Sequence, residues 1–175
     1  TQEFLLHSLT TASICRMLAE RLDIPQSDSN DFFVAGLLHD FGKIVFAEFE
    51  PENFKRALEK SILENCPLHE TELEFMGVTH AQTGSLLVKK WAFGQKLINA
   101  IDHHHDKVNN DVLRDCVFAA NQISKKMQFG FAGDPIIEEF PQSIVARFNL
   151  SLTDLITDLG DLSAVKTEAL SFIKS

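Results

Sequence analysis

The sequence predicts an all-α fold, a bundle of amphipathic helices. Apolar residues recur at the spacing of helical faces along most of the chain. No segment keeps the apolar–polar alternation of a half-buried strand for long. Prolines and glycines stand between the helical segments, where they end one helix and let the next begin. These residues are Pro25, Pro51, Pro67, Gly130, Gly133 and Pro135.

The first two helices are predicted from the apolar pattern and its interruptions. The pattern indicates a helix over residues 3–22, which the proline that follows ends. Residues 26–30 predict a polar loop, and Asn30 or Asp31 is a suitable cap for the next helix. That second helix is nearly all apolar and extends to about Phe49, so we expect it to be buried on most sides.

The remaining helices follow from local start and stop signals. Pro51 opens a surface helix at a position that tolerates proline. Thr79 caps a later helix, and Ser151 is the expected cap near the end of the chain. The predicted ranges are 51–65, 80–91, 95–105 and 111–128, with two or three shorter helices over 136–174.

The length of 175 residues suits one domain with a full core. We expect the helical core and its site to span residues 1–130, and C-terminal helices over 131–175 to pack on the same domain. Because the chain starts without Met and inside a helical pattern, we also expect that an upstream segment is missing.

Charge and cysteine content argue against several classes of function. The net charge of -9 disfavours a general nucleic-acid binder, although Lys89-Lys90 and Lys125-Lys126 form basic doublets. The three cysteines lie far apart without a CxxC pair, which indicates neither a disulfide framework nor a zinc knuckle and favours a reducing, cytoplasmic location. No apolar run reaches about 18 residues, so no membrane-spanning helix is expected.

Six of the seven histidines fall where helices predicted to be buried begin, end or face inward. They are His7, His39, His80, His103, His104 and His105. His39 precedes Asp40 near the end of the most apolar segment. Burying an unpaired carboxylate costs several kcal/mol, so Asp40 is expected beside a cation or strong donors. Imidazoles with a carboxylate favour a divalent transition metal such as Zn, Fe, Mn, Co or Ni.

Each of these residues also has an interpretation without a metal. His7 alone is more readily a satisfied core or surface histidine than a ligand, and His80 alone could be an N-terminal helix residue with no ligand. The run 103–105 could be an exposed helix end, and Asp40 could pair with Lys43. His69 is interpreted as a surface residue because no motif surrounds it. The joint pattern favours a metal site.

A resemblance to a known family is carried by three segments. The segment AGLLHDFGK at residues 35–43 resembles the signature of the HD superfamily of metal-dependent phosphohydrolases, whose first histidine is matched by His7. The segments GVTHAQTG at 77–84 and AIDHHH at 100–105 are similar to the HDOD branch, the HD-related output domains of bacterial signalling proteins. The resemblance covers residues 3–128 and implies an HD-domain-like helical bundle.

The resemblance implies two metal half-sites that share Asp40. The first would comprise His7, His39 and Asp40, with Asn121 at the position where the superfamily has Asp; Asn is a neutral and weaker ligand. The second would comprise Asp40, His80, His104 and His105. The pair His104-His105 is preferred over His103-His104 because Ile101 sets the spacing found in relatives.

Further roles are implied by the resemblance alone. Asp40 and Lys43 would be the catalytic residues of an active enzyme, with Asp40 bridging two ions and Lys43 steadying a phosphate oxygen. Glu3 matches an additional ligand of some relatives. The Gly-Tyr-Pro element of related cyclic di-GMP hydrolases is absent, since residues 106–110 read DKVNN. This absence argues against cyclic di-GMP as the substrate.

Two functions and one negative alternative follow from these expectations. The first is a signalling module that binds one or two divalent ions, among which Fe, Mn, Zn and Ni are not distinguished, and transmits its state to a protein partner. The second is a metal-dependent phosphohydrolase acting on a nucleotide or another phosphoester. In the third, no metal binds and the histidines are relics of packing.

Overall fold

The computed structural model describes residues 1–107 and 110–175, and in these residues all regular secondary structure is helical. The all-α prediction is confirmed. Val108 and Asn109, part of the polar stretch predicted after His105, lie outside the described residues. The helices are α1 (Gln2–Arg21), α2 (Gln26–Leu38), α3 (Gly42–Phe49), α4 (Pro51–Glu64), α5 (Leu68–Met76), α6 (His80–Lys90), α7 (Gln95–Asp102), α8 (Val112–Lys126), α9 (Gln142–Phe148), α10 (Leu152–Leu159) and α11 (Ser163–Lys174).

Helix α8 runs through the middle of the fold. Its residues from Leu113 to Ser124 are all buried, and α1, α2, α7 and α10 pack against it. The main hydrophobic core continues from these helices into α9, α10 and α11, so residues after 131 share it. A smaller cluster joins α3, α4 and α5 through Phe46, Phe54, Ala57 and Leu68. Among the described helices, none has both the length and the apolar content required to cross a bilayer.

Local signals placed several helix starts correctly. The Thr79 hydroxyl accepts a hydrogen bond from the backbone of Gln82, whose side chain accepts one from the backbone of Thr79, a complete capping box. Ser151 caps α10 by accepting from the backbone N–H of Asp154. The last part of the chain forms three helices, within the predicted range.

The polar loop predicted over residues 26–30 is wrong, because α2 already begins at Gln26. Pro25 precedes the helix with φ -55° and ψ 142°, a suitable N-cap geometry. The polar residues lie on the exposed side of the first turns, while Ser29 is buried and donates its hydroxyl hydrogen to the carbonyl of Gln26. Solvent exposure, and not a loop, accounts for their polarity.

The single apolar helix predicted to extend to Phe49 is also wrong. A turn at residues 39–41 separates α2 from α3, although apolar residues continue on both sides. Gly42 lies so close to α6 that a Cβ there would overlap the carbonyl oxygen of His80. This close approach brings the end of α2 to the start of α6.

The helix predicted over 95–105 ends at Asp102, and residues 103–105 form a turn. In this turn the carbonyl of His103 accepts a hydrogen bond from Nε of Arg114 on α8, at 3.1 Å. The carbonyl is therefore satisfied from outside its own helix. The break lets consecutive histidines point in different directions.

Candidate metal centre

Asp40 lies in the middle of a cluster of imidazoles, in the turn after α2, and is 1% exposed. Its Oδ2 is 3.5 Å from Nε2 of His7 and 3.3 Å from Nε2 of His39. Its Oδ1 is 3.2 Å from Nε2 of His80 and 3.7 Å from Nε2 of His104. Each carboxylate oxygen is therefore directed at a different group of nitrogens.

The candidate ligand atoms form two groups, within each of which all atoms lie within 4.8 Å of one another. One group is His7, His39 and Asp40, and the other is Asp40, His80, His104 and His105. In the second group, Nε2 of His80 is 3.4 Å from that of His104 and 2.8 Å from that of His105. Ligand atoms about 2.0–2.2 Å from one tetrahedral ion lie roughly 3.3–3.6 Å apart. The first spacing lies in this range, whereas the second is shorter and is that of a hydrogen bond.

Three of the imidazoles are oriented by a hydrogen bond on the nitrogen that faces away from the centre. The acceptors are the carbonyl of Gly36 for His39 (2.7 Å), the carbonyl of Ile101 for His104 (2.6 Å) and the carboxylate of Glu72 for His80 (2.8 Å). Because a carbonyl or carboxylate only accepts, the proton is assigned to Nδ1 in each ring. The Nε2 lone pairs then face the centre, as in metal-binding histidines.

Several buried polar atoms here have no hydrogen-bond partner among the described residues. They are Nε2 of His7, Nε2 of His39 and Oδ1 of Asp40, and Oδ1 of Asn121 on α8 shares this property. A buried polar atom without a partner costs about 1–3 kcal/mol. A divalent ion would satisfy lone pairs of this kind, so the donor set fits the predicted metal.

Lys43 provides a positive charge inside the centre. Its side chain is 4% exposed, and its Nζ donates to Oδ2 of Asp40 at 2.8 Å and to the carbonyl of Ala132 at 2.9 Å. The alternative in which Lys43 pairs with Asp40 is therefore present in this structure, together with the clustered imidazoles.

Burial and charge shift the protonation equilibria of the centre in opposite directions. Burial opposes ionisation of Asp40, but His39 and Lys43 beside it hold the pKa of this carboxyl well below its usual range. Burial lowers the pKa of His7 to about 4 and that of His104 to about 3. Burial also acts on His80, yet the Glu72 carboxylate outweighs it and raises the pKa of that imidazole.

Two residues at the centre were missed from the sequence. Glu72 on α5 is fully buried and supports His80, although it lies in a short acidic stretch that resembles an exposed surface. His69 is half-buried, and its ring stacks on that of His105 with centroids 4.3 Å apart. Its interpretation as a surface residue is wrong. Neither residue has a sequence signal of its own, because both reach the centre through the packing of α5.

Some predicted residues lie outside the two groups. His103 turns away, with Nδ1 2.7 Å from a carboxylate oxygen of Asp106. Glu3 is exposed and belongs to neither ligand group. The ligand role of Asn121, which is buried on α8, stays a prediction. The structure thus brings together His7, His39, Asp40, Lys43, His80, His104 and His105.

Two cavities reach the centre from different sides. One, of about 400 Å³, is lined by Glu3, His7, Lys125 and Asp134, and by the segment 130–132. The other, of about 380 Å³, is bordered by the rings of His69, His103 and His105. A small molecule or ion could approach the first ligand group through the first cavity and the second group through the other.

The chain matches the model of a known protein family and resembles solved structures. The family model of the HDOD domain matches residues 1–107. The chain resembles an HDOD domain protein of unknown function from Geobacter sulfurreducens, with a TM-score of 0.77 and 23% identity over 95% of this chain and 61% of that one. It also resembles a protein of Marinobacter aquaeolei VT8 whose name proposes a role in signal transduction, with a TM-score of 0.78 and 19% identity over 97% of this chain and 38% of that one.

A curated relative of known name is the ribonuclease Y of Pelobacter propionicus. It is 32% identical over 125 residues, which are 71% of this chain and 18% of the relative. The chain spans about a fifth of the length of the curated relatives that it matches. The similarity therefore concerns one domain of longer proteins.

Proposed function

The chain belongs to the HDOD domain family, and from this premise we propose that it is a metal-binding regulatory domain of a bacterial signal-transduction protein. The observation that carries the proposal is the two-sided environment of Asp40. Each of its oxygens faces a separate set of imidazole nitrogens, and its Oδ1 has no hydrogen-bond partner among the described residues. Such a set suits a divalent transition metal, with Fe, Mn, Zn and Ni as the candidates.

The regulatory part of the proposal rests on family membership and on the first ligand group. Lys43 already donates to Oδ2 of Asp40 in that group, and position 121 holds a neutral amide where the resemblance to the HD superfamily implies a carboxylate. Both features weaken a two-metal hydrolytic centre, which needs two closely held cations. We propose that the ion stabilises one arrangement of the domain and that a protein partner recognises this arrangement.

The proposed location is the cytoplasm. All three cysteines are free thiols, and Cys15 and Cys116 are buried in the core. Such cysteines suit a compartment that keeps thiols reduced.

A second candidate function, a metal-dependent phosphohydrolase, is favoured by the similarity to ribonuclease Y and by the cavity beside His105. A bound divalent ion would supply Lewis acidity and lower the pKa of water from 15.7 towards about 7. Asp40 and the histidines would hold the ion, and Lys43 would stabilise charge on a phosphate oxygen. Any activity would be on a phosphoester, for example a nucleotide or RNA.

Metal binding is tested by titrating the metal-free protein with Zn²⁺ and Mn²⁺ and by elemental analysis. We expect binding with a rise in melting temperature, because an ion that binds only the folded state stabilises it. His104→Gln should weaken binding strongly, while His103→Gln, one residue away but outside the ligand groups, should not. Absence of binding in the wild type would favour histidines that only pack.

A screen with phosphomonoesters, phosphodiesters and RNA then separates the two functions. The regulatory proposal expects no turnover with any bound metal. Robust turnover that Asp40→Ala abolishes would replace it by the phosphohydrolase.

A further inference from the structure

We propose that this domain holds a single metal ion, bound by Asp40 Oδ1, His80, His104 and His105, and that Lys43 is a built-in cation occupying the electrostatic place of a second ion at Asp40 Oδ2. This inference rests on the proposed metal binding and specifies its stoichiometry and location.

The first argument is the geometry around Oδ2. Nζ of Lys43 lies 2.8 Å from this oxygen, closer than Nε2 of His39 at 3.3 Å or of His7 at 3.5 Å. The ammonium is held from a second direction by the carbonyl of Ala132 at 2.9 Å. Lys43 is buried in this position, so its ammonium group belongs to the interior of the centre and not to the protein surface.

The second argument is the balance of charge in a buried volume. Among the described residues, the carboxylates that contact imidazoles of the two ligand groups are those of Asp40 and Glu72, and Lys43 offsets one of them. One divalent ion would leave a small net positive charge. A second divalent ion would add two more charges without an added carboxylate, because position 121 is Asn. Uncompensated charge in a buried site is strongly unfavourable.

The third argument is the difference between the two ligand groups. The group around Oδ1 provides three imidazoles and a carboxylate oxygen, which is a full tetrahedral set. The group around Oδ2 provides two imidazoles and shares its oxygen with Lys43. The ion is therefore expected in the group around Oδ1 and excluded from the group around Oδ2.

Lys125 offers a matched control for Lys43. Its side chain is 10% exposed, its Nζ donates to the carbonyl of Ile136 at 2.8 Å, and it pairs with Asp134 at 3.3 Å. Both lysines thus hold the segment 130–136 by a carbonyl, but only Lys43 contacts Asp40. Lys125→Met removes a segment contact and the charge beside Asp134, while Lys43→Met removes a segment contact and the charge at Oδ2.

The first experiment measures metal stoichiometry by Zn²⁺ titration calorimetry and by Mn²⁺ electron paramagnetic resonance. We expect one ion per chain in the wild type and in Lys125→Met, with the Mn²⁺ spectrum of isolated ions. Lys43→Met should bind a second ion at least about tenfold more tightly than the wild type does, since the repelling charge is gone. Two ions in the wild type, or no gain in Lys43→Met, would overturn the inference.

A second comparison locates the ion with Lys43 intact, so it does not depend on the folding of Lys43→Met. In otherwise wild-type protein, His7→Gln should keep one Zn²⁺ with affinity within about threefold, and His104→Gln should lower the affinity at least about tenfold. The reverse result places the ion at Oδ2 and overturns the inference while leaving metal binding itself intact. Failure of every protein, including the wild type, to bind either metal would overturn the proposed function as well.

Discussion

Glu72 and His80 form a fully buried pair in which the carboxylate accepts hydrogen bonds from both Nδ1 and the backbone N–H of the histidine, each at 2.8 Å. The pair connects α5 to the first residue of α6. A carboxylate behind a metal-ligating imidazole fixes the ring and increases its basicity. Glu72 would therefore act on a bound ion through His80 and not by direct contact.

Glu72→Gln should weaken metal affinity by about 10–100-fold, because the neutral amide polarises the ring less and can present the wrong atom to Nδ1. The measurement is Zn²⁺ titration of protein whose folding has been checked by circular dichroism. Glu74→Gln is the matched control: it lies two residues on, in an exposed ion pair with Lys60, and should leave the affinity unchanged. Equal affinities for Glu72→Gln and the wild type would remove this role from Glu72.

Gly42→Ala should destabilise the fold by about 1–3 kcal/mol or more, because its Cβ would overlap the carbonyl of His80. It should also weaken metal binding, since α3 and α6 must separate and carry Asp40 away from His80. Urea unfolding and Zn²⁺ titration measure both effects. Gly94→Ala is the control: among the described residues, no atom beyond its chain neighbours lies within 4 Å of an added Cβ, and its φ is -67°. Because Gly94 is the N-cap of α7, this substitution should cost up to about 1 kcal/mol and leave metal binding unchanged. A fully stable Gly42→Ala would contradict the close packing of α3 on α6.

The metal-free protein should lose stability as the pH falls from 7 to 5. Burial lowers the pKa of His7 to about 4 and of His104 to about 3, and it lowers that of His105 well below its usual value. In the unfolded chain these imidazoles bind protons near pH 6.5, whereas in the folded protein they stay neutral to a lower pH. The free energy of unfolding is therefore highest above about pH 6.5 and decreases below it. His80, with a raised pKa, acts in the opposite direction but is outnumbered.

The expected loss in the free energy of unfolding is roughly 2–4 kcal/mol between pH 7 and pH 5. Urea unfolding in the presence of a chelator measures it. His104→Gln should show a smaller change with pH, because it lacks one of the imidazoles that resist protonation. A metal-free wild type that is equally stable at both values, or more stable at pH 5, would show that these groups are not buried in the neutral form.

Asp115→Asn should lower the free energy of unfolding by about 3–5 kcal/mol, because two arginines depend on this buried carboxylate. Nη1 of Arg114 lies 2.7 Å from Oδ1, and Nε of Arg147 lies 2.6 Å from Oδ2. The exposed pair of Arg21 with Asp158 is the control, and Asp158→Asn should cost less than about 1 kcal/mol. Similar unfolding midpoints for the two variants would show that the stability of the fold does not depend on the negative charge of the buried Asp115.

The helices that the sequence predicted well begin at residues whose effect is local. Pro51, Thr79 and Ser151 act within one turn of the helix that they start, so their role can be predicted without the rest of the chain. The turn at 39–41 has no such signal, because the residues around it remain apolar. It is followed by the close contact of Gly42 with His80, which is 38 positions away along the chain.

The candidate site divides in the same way. The sequence by itself determined the residue types of a metal centre, since the motifs that contain His7, His39-Asp40, His80 and His104-His105 already imply imidazole and carboxylate ligands. Only the tertiary structure decided that Asp40 directs one oxygen to each group and that Lys43 contacts Oδ2. It also decided that Glu72 accepts a hydrogen bond from His80 and that the ring of His69 stacks on His105. Residue type is a property of each position, but these distances depend on how separate helices rotate and approach, which is set by packing across the whole core.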